Sequence, residues 1–301
     1  MGGLSISQPK LAAAGAFIRV CVLTAALVVG LVVSASAGSR PQRVVSVNIT
    51  SDEILLALIP ERLAAVSVLA SDPGVSNVVR AAAAVPVKVR ADPERILALE
   101  PDLVVIGGQS IHVVRQLEEL GVRVVKIQGF ESLAWVEGLI RTLGDEVGER
   151  PRAEQLIAAM RGRLDAVRDW VIGRPRSRVL TYSFGGRTAG RGTLFDDVIR
   201  AAGGENVAAT RGISGWKPLS LEQLLVADPD AIVLHALQRW APGFHAEFLS
   251  HPALRTVRAF RENRVHQLPG RLMITTSHHI AETVEALAAV LHSDVFQRVS
   301  R

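Results

Sequence analysis

One supersecondary pattern occurs twice in this chain, and the repeat limits the possible folds more than any other feature. The first copy runs from Glu94 to Val105 and the second from Glu222 to Val233. In each copy an apolar helical segment follows the Glu, a Pro-Asp pair ends it, and an apolar run comes next. Proline cannot continue a helix and favours extended backbone before it. Each copy therefore predicts a short helix, a proline stop and a buried strand, and the pair predicts two similar lobes.

Both predicted helices begin with a good capping residue. Asp92 precedes the first and Ser220 the second, and side chains of these types accept hydrogen bonds from the free N–H groups of a helix start. Glu94 and Glu222 then fall in the first helical turn, where the helix dipole favours a carboxylate. Dipole complementation is therefore one explanation of the repeated Glu.

The N-terminal segment has the features of a secretory signal peptide. A basic region precedes an apolar run over residues 20–33, and an A-x-A site follows at Ala35 to Ala37. The run is short for a membrane span. We expect cleavage after Ala37 and export to the periplasm, which would remove Cys21 with the leader; an uncleaved anchor is the alternative. A mature chain without cysteine must rely on a large core rather than on disulfides.

Composition excludes some classes of function. The formal charge is +5, with 34 Lys and Arg against 29 Asp and Glu. The basic residues are dispersed, and one Tyr and eight Phe offer few platforms for base stacking, so nucleic-acid binding is not indicated. The mature part contains no apolar segment long enough to span a bilayer.

The mature part alternates between strand and helix patterns. This alternation predicts an α/β fold with parallel sheets. One long helical pattern, from Pro151 to Ile172, interrupts it, and a helix of that length would span about 33 Å. We therefore expect two Rossmann-like lobes with parallel sheets joined by one connecting helix. The expected division is a leader over 1–37, a first lobe over 38–150, the helix over 151–173 and a second lobe over 174–301.

The ordered set of motifs resembles a known family. These motifs are Arg43–Asn48, Pro93–Val105, the long helix, Gly203–Val207 and Leu219–Asp230. Together they are similar to the periplasmic binding proteins of the cobalamin, haem and ferric-siderophore ABC importers. The resemblance implies a monomer that binds its ligand between two lobes and delivers it to a permease dimer with a cytoplasmic ATPase. It implies no catalysis and no covalent cofactor, and a transported ligand that is an iron chelate or a corrinoid.

The resemblance also gives the repeated Glu a second explanation. Glu94 and Glu222 match the positions at which this family docks onto basic residues of its permease. A symmetric pair of carboxylates suits a two-fold related pair of subunits, and carboxylates form charge-assisted hydrogen bonds with Arg.

Aromatic residues in the predicted loops are the first candidates for ligand contact. In parallel α/β lobes the ligand lies at the carboxyl ends of strands. Trp216 lies in a polar, glycine-rich segment predicted to be a loop, and the resemblance implies an aromatic residue here that faces the ligand. Its alternative role is packing at the edge of the lobe. Trp240 follows the same logic, whereas Trp135 and Trp170 lie on predicted helices and are expected to pack.

Basic and polar residues in the same loops are the second group of candidates. Arginine binds carboxylates with two hydrogen bonds, so such a cleft would favour an anionic chelate. The alternative is that these are ordinary surface residues of an Arg-rich chain. The candidates are Lys88, Arg90, Gln109, Arg187, Arg239 and Arg271.

Other ligand classes fit less well. Haem would need an axial Tyr or His, and Tyr182 lies inside a predicted strand. His112 and His235 follow strand ends and could bind a bare metal ion, but no complete ligand set is evident. A bare-metal transporter, a sensor domain and an exported α/β enzyme remain alternatives, although the chain has no Gly-x-Ser-x-Gly motif for a serine nucleophile.

Overall fold

Residues 40–235 and 242–292 are described by the computed structural model. The predicted leader with its cleavage site, Arg239 and Trp240 lie outside the described residues. Within the described ranges, no helix combines the length and the apolar character that a membrane crossing requires.

The first sheet is entirely parallel and has the strand order β3-β2-β1-β4-β5. All residues of the central strands β1 and β4 are buried, as is usual when helices cover both faces of a parallel sheet. The order reverses between β1 and β4, which is where such sheets bind ligands. The strands are β1 Val44–Ser46, β2 Leu63–Ser67, β3 Val87–Val89, β4 Leu103–Gly107 and β5 Val124–Ile127.

Helices connect the strands of this sheet and cover it. The first begins at Ile49, because the Asn48 side chain accepts the Thr50 N–H at 2.8 Å and caps it. The helices are α1 Ile49–Leu58, α2 Val79–Ala82, α3 Pro93–Leu97, α4 Ile111–Glu119 and α5 Leu133–Glu146.

A single long helix follows, as the sequence predicts. It is α6, Arg150–Val171, with 22 residues, which makes it about 33 Å long. One face buries Ala153, Ile157, Met160 and Val167 in an apolar core that takes side chains from both sheets. The helix is thus a packed element of the core rather than a free linker.

The second sheet is mixed, and this differs from the fully parallel sheet expected. Its order is β11-β10-β6-β7-β9, with β8 beside β6. Strands β8, β6, β10 and β11 are parallel, but β7 runs antiparallel to both of its neighbours, β6 and β9. Gly185 and Gly186 both have positive φ and make the tight turn that reverses the chain after β6. The strands are β6 Arg178–Ser183, β7 Arg187–Ala189, β8 Glu205–Asn206, β9 Trp216–Pro218, β10 Ala231–His235 and β11 Val265–His266.

The helices of the second half complete the structure. The last of them packs along α6 and contributes Val284 and Leu287 to the shared core. They are α7 Leu194–Ala201, α8 Val207–Thr210, α9 Leu221–Ala227, α10 Phe244–Ser250, α11 Arg258–Arg261, α12 Gly270–Ile274 and α13 Ile280–Leu291.

Both copies of the sequence repeat adopt the predicted unit of helix, proline stop and buried strand. The first is α3 with β4 and the second is α9 with β10. Asp92 accepts the Arg95 N–H and caps α3. Ser220 caps α9 in a reciprocal arrangement with Gln223.

The aspartate of each repeat has a structural role that the two halves share. Asp102 accepts the backbone N–H of Arg43 at 3.0 Å, and Asp230 accepts that of Arg178 at 2.9 Å. The Arg43 guanidinium donates to the Leu99 carbonyl at the end of the first repeat helix. Arg178 donates to the carbonyls of Ala227 and Asp228. We call each pair, Arg43 with Asp102 and Arg178 with Asp230, an Arg–Asp clamp. The clamp fixes the start of the central strand against the repeat helix.

A buried polar network joins the two halves. The carboxyl group of Glu53 on α1 is 1% exposed and accepts hydrogen bonds from Thr275 at 2.7 Å and Ser277 at 2.5 Å. It also accepts the backbone N–H and the side-chain amide of Asn77. Thr50 bonds to Thr276 through their hydroxyls at 2.5 Å. The segment after α12 is therefore held by the first half of the chain.

Asp52 makes stability dependent on pH. Its buried carboxyl accepts hydrogen bonds from Ser67, and burial raises its pKa from 3.8 to about 6. A raised pKa means that its stabilising contribution is complete below pH 3.8 and is lost as the pH rises through 6. Relative to Asp52→Asn, the wild type should lose about 2 kcal/mol of unfolding free energy between pH 4 and 7. Urea titrations of both proteins across this range would measure it, and parallel curves would contradict it.

Candidate functional site

A pocket of about 230 Å³ lies between the two halves at the carboxyl ends of the strands. Apolar and aromatic side chains form most of its wall, with few polar groups, which is typical of small-molecule sites. Phe130 comes from the first half. The second half supplies Leu194, Phe195, Trp216, His235, Met273, Ile274, Thr275 and Thr276.

Phe130 reaches the pocket from a strained turn. It has φ 117° in the connection between β5 and α5, a region that residues other than glycine rarely adopt. Its ring packs on Trp135 at 4.9 Å, and the Trp135 indole donates to the Gln128 carbonyl at 3.0 Å. Trp135 therefore has the packing role predicted for it, and it supports the turn that presents Phe130. Backbone strain of this kind is frequent at ligand sites.

Trp216 begins strand β9 rather than lying in a loop, so the predicted loop was wrong. Its backbone pairs with Ala189 of β7, and its carbonyl accepts the Arg187 guanidinium at 2.7 Å. The side chain is 36% exposed and lines the pocket. Arg187 is itself exposed on β7, so it positions the Trp216 backbone at the edge of the sheet.

His235 is the last residue of β10 and also lines the pocket. Its ring lies 4.9 Å from Phe195 and 5.2 Å from Trp216. Burial lowers the pKa of His235 from 6.5 to about 4, so the ring is neutral at pH 7. The sequence indicated His235 only as a donor for a bare metal ion.

Two predicted basic ligands already have protein partners. Arg271 donates to Asn77 at 2.7 Å and to Glu282 at 3.0 Å, which places it in the contact between the halves. The Lys88 ammonium donates to the Ala82 and Val85 carbonyls. Both side chains are therefore hydrogen-bonded by the protein itself.

The other candidates, Arg90 and Gln109, lie just after the carboxyl ends of strands of the first sheet. Arg90 is exposed just after β3. Gln109 is exposed after β4, and its side chain lies with that of Asn48 over Gly107, where a Cβ would be 3.0 Å from the Gln109 amide oxygen. Gln109 and Asn48 therefore sit at the point where the strand order reverses.

The repeated glutamates are at equivalent places. Glu94 and Glu222 are both exposed in the first turn of α3 and α9. A hydrogen bond from Ser220 lowers the pKa of Glu222 below its usual range. Both carboxyl groups are available to a partner in solution.

The remaining candidates lie elsewhere. Trp170 packs against His292 and under Arg174, as predicted for a packing residue. Tyr182 is packed between Phe244 and Phe248. His112 is exposed on α4, and the described ranges contain no group of three or more His, Cys, Asp or Glu arranged to hold a metal ion.

A larger hollow of about 540 Å³ lies at the end of α6. It is lined partly by arginines, and three of these bind neighbouring groups of the protein. Arg168 pairs with Asp165, Arg200 pairs with Asp197, and Arg174 covers Trp170. We therefore take the smaller aromatic pocket as the candidate site.

Two α/β halves joined by one long helix, with an aromatic pocket between them, define a two-lobed binding protein. The sequence profile of the family described as "Periplasmic binding protein" matches residues 44–272. The chain belongs to this family.

Individual proteins that are similar to this chain are also named as binding proteins. The chain is 32% identical over 146 residues to the vitamin B12-binding protein of Salmonella paratyphi A, covering 47% of this chain and 54% of that protein. It is 33% identical over 144 residues to a cobalamin-binding protein of Halobacterium salinarum, covering 46% and 39%. The matches thus span about half the length of these relatives or less.

Solved structures match over a larger part of the chain. A periplasmic heme-binding protein from Pseudomonas aeruginosa has a TM-score of 0.69 and 30% identity, with 84% of this chain and 93% of that chain covered. One from Roseiflexus has a TM-score of 0.71 and 26% identity, with 84% and 98% covered. The fold is therefore that of this family.

Proposed function

We propose that this protein is the substrate-binding component of an ABC importer and that it carries a metal chelate with a large planar ring. The observation that carries the proposal is the aromatic pocket between the lobes, where Trp216 and Phe130 approach from opposite halves. The relatives named for vitamin B12, cobalamin and heme support a chelate as the ligand.

The shape of the pocket fits part of such a ligand. Its volume of about 230 Å³ is below the range of about 300–1,000 Å³ common for ligand sites. It would enclose one face or edge of a macrocycle, with the remainder in the open cleft. Gln109 and Arg90, at the edge of the first sheet, would meet polar substituents there.

The proposed role as a substrate-binding component also implies partner proteins. We infer a permease dimer with a cytoplasmic ATPase, docked through Glu94 and Glu222. The protein would act in the periplasm as a monomer after cleavage behind Ala37. The proposed division into a first lobe, a connecting helix and a second lobe keeps the predicted boundaries, and no catalytic step is part of the proposed function.

Trp216→Ala tests the pocket. Stacking on an aromatic ring contributes on the order of 1 kcal/mol beyond burial, so the substitution should weaken chelate binding about tenfold or more. Haemin and aquocobalamin would be titrated against intrinsic fluorescence, with a ferric siderophore, which has no large planar ring, as the comparison. A bound chromophore should quench the wild type, and the quench should shrink in the variant.

The matched control is Trp170→Phe, because Trp170 packs against His292 and does not line the pocket. It should lower total fluorescence and leave the affinity unchanged. The proposal fails if no chelate quenches the wild type, or if Trp216→Ala binds as tightly as the wild type.

A further inference from the structure

An apolar hollow of about 290 Å³ opens on the second half, between the end of β6, the start of α9 and helix α10. Its floor includes Phe248 and Leu254, which belong to an apolar cluster distinct from the core around α6. The described residues that line this α9–α10 hollow are all different from those that line the candidate ligand pocket. The proposed binding of a chelate therefore does not account for it.

The wall of the hollow presents aromatic rings to solvent. Phe184 follows β6 and is 61% exposed. Its ring lies edge-on to Phe244 at 6.0 Å, and Phe244 in turn stacks on Tyr182 at 6.3 Å. A contiguous apolar patch with a polar rim is typical of interaction sites, and aromatic residues are enriched at the centre of protein interfaces.

Backbone contacts hold this hollow beside one of the two repeated glutamates. Leu221, the first residue of α9, lines the hollow, and Glu222 is the next residue along the chain. The Leu219 N–H donates to the Gly186 carbonyl at 2.7 Å, which ties the turn after Phe184 to the start of α9. A protein that pairs with Glu222 would therefore also meet the hollow.

The charges around the hollow decide which partner fits it. Glu247 lines the hollow and Glu222 lies next to it, and both residues are exposed. The described residues that line the hollow include no Lys or Arg. In a two-fold contact between copies of this chain the same patch would meet itself, so carboxylates would face carboxylates, which is unfavourable. A partner segment that carries an apolar side chain next to a basic one is complementary in both respects.

We propose that the α9–α10 hollow receives a large apolar side chain of a permease loop, next to the basic residue that pairs with Glu222. This inference rests on the proposed function and extends its docking surface beyond the ion pair. The apolar side chain would act as a buried anchor, since a few such anchors supply most of the binding energy of an interface. The carboxylates at the rim would steer the encounter and fix its orientation.

Phe184→Ala tests the apolar contact. The substitution removes an exposed ring, so the protein should fold and bind haemin or aquocobalamin within about twofold of the wild type. Its affinity for the permease–ATPase complex in lipid nanodiscs, measured by biolayer interferometry, should fall about tenfold or more. The matched control is Leu120→Ala, which shortens a side chain that is 65% exposed at the end of α4 and does not line the hollow. The control should bind the complex as the wild type does.

A double-mutant cycle shows whether the hollow and Glu222 serve one contact. Phe184→Ala combined with Glu222→Gln should cost less affinity than the product of the single effects, because both residues would bind the same permease loop. Phe184→Ala combined with Glu94→Gln, on the other lobe, should give effects that simply multiply. Effects that multiply in both pairs would contradict a shared contact with Glu222.

A photoreactive benzoylphenylalanine in place of Phe184 identifies the occupant of the hollow. On irradiation in the same nanodisc mixture, it should crosslink to the permease subunit. A crosslink to a second copy of this protein, or no crosslink from a protein that binds the complex, would overturn the proposal.

The outcomes separate this inference from the proposed function. If the wild type binds the complex and Phe184→Ala binds it equally well, this inference is wrong and docking through the glutamates stands. If the wild type does not bind the complex, both the docking function and this inference fail. Should Phe184→Ala not fold, Glu247→Lys replaces it, because it changes an exposed side chain at the rim. This variant should also bind the complex about tenfold or more weakly, and unchanged affinity would overturn the proposal.

Discussion

Reversing both repeated glutamates, Glu94→Lys with Glu222→Lys, should abolish ligand uptake and leave ligand affinity within about twofold of the wild type. Both carboxylates are exposed in the first turn of equivalent helices, and neither residue lines the pocket. In the proposed complex each would bind basic residues of one permease subunit. A lysine at either position would face those basic residues, and repulsion between like charges costs several kcal/mol at an interface. Uptake of labelled chelate into cells and titration of the purified protein would measure the two effects.

The matched control reverses two other exposed glutamates, Glu119→Lys on α4 and Glu262→Lys after α11. Glu119 forms a surface ion pair with Arg115, and Glu262 forms one with Arg258. Surface ion pairs contribute little stability. The control has the same change in net charge and should transport normally. Uptake that persists in the Glu94 and Glu222 double variant, or affinity that collapses in it, would show that these residues do not dock the permease. Single reversals should have smaller effects, because each lobe keeps its own contact.

Glu53→Ala should destabilise the protein by at least about 3 kcal/mol and weaken chelate binding as well. The substitution leaves donors of Thr275, Ser277 and Asn77 buried without their acceptor. Thr275 also lines the pocket, so loosening its segment disturbs the site. Urea denaturation followed by circular dichroism would give the stability, and fluorescence titration the affinity.

The conservative variant Glu53→Gln separates the network from simple packing. It keeps the size of the side chain and one acceptor oxygen, so its loss should be clearly smaller than that of Glu53→Ala. Combining Glu53→Ala with Ser277→Ala should cost less than the sum of the single changes, because the two residues share one hydrogen bond. Additive costs would mean that the network does not couple the lobes.

The sequence predicts local elements well because their signals are local. The repeated helix and strand, the caps at Asp92 and Ser220 and the long helix follow from apolar periodicity and proline chemistry. The β7–β9 ribbon could not be read this way, since Trp216–Pro218 is exposed throughout and shows no alternation of buried and exposed residues. Its pairing depends on the turn that Gly185 and Gly186 make with positive φ.

Roles that depend on distant partners are harder to predict. Arg271 belongs to a segment predicted to be a ligand-binding loop, but the segment forms α12, and its partner Asn77 is 194 residues away. Glu53 is buried only because Thr275, 222 residues further along the chain, supplies a hydroxyl. His235 did carry a signal, a polar residue directly after a buried strand. Its place in the pocket wall, however, is visible only in the structure, where Phe195 and Trp216 pack against its ring.

The Arg–Asp clamps have a consequence for the order in which the chain assembles. The clamp of the first half joins residues 59 apart in sequence and that of the second joins residues 52 apart, whereas the Glu53 to Thr275 bond spans 222. By loop-closure entropy alone, either clamp is favoured over that bond by about 1 kcal/mol. The first half can therefore fix its central strand during synthesis before the second half exists, and the second half can then fix its own. Chain order thus favours two self-sufficient folding nuclei, with the contact between the lobes forming last.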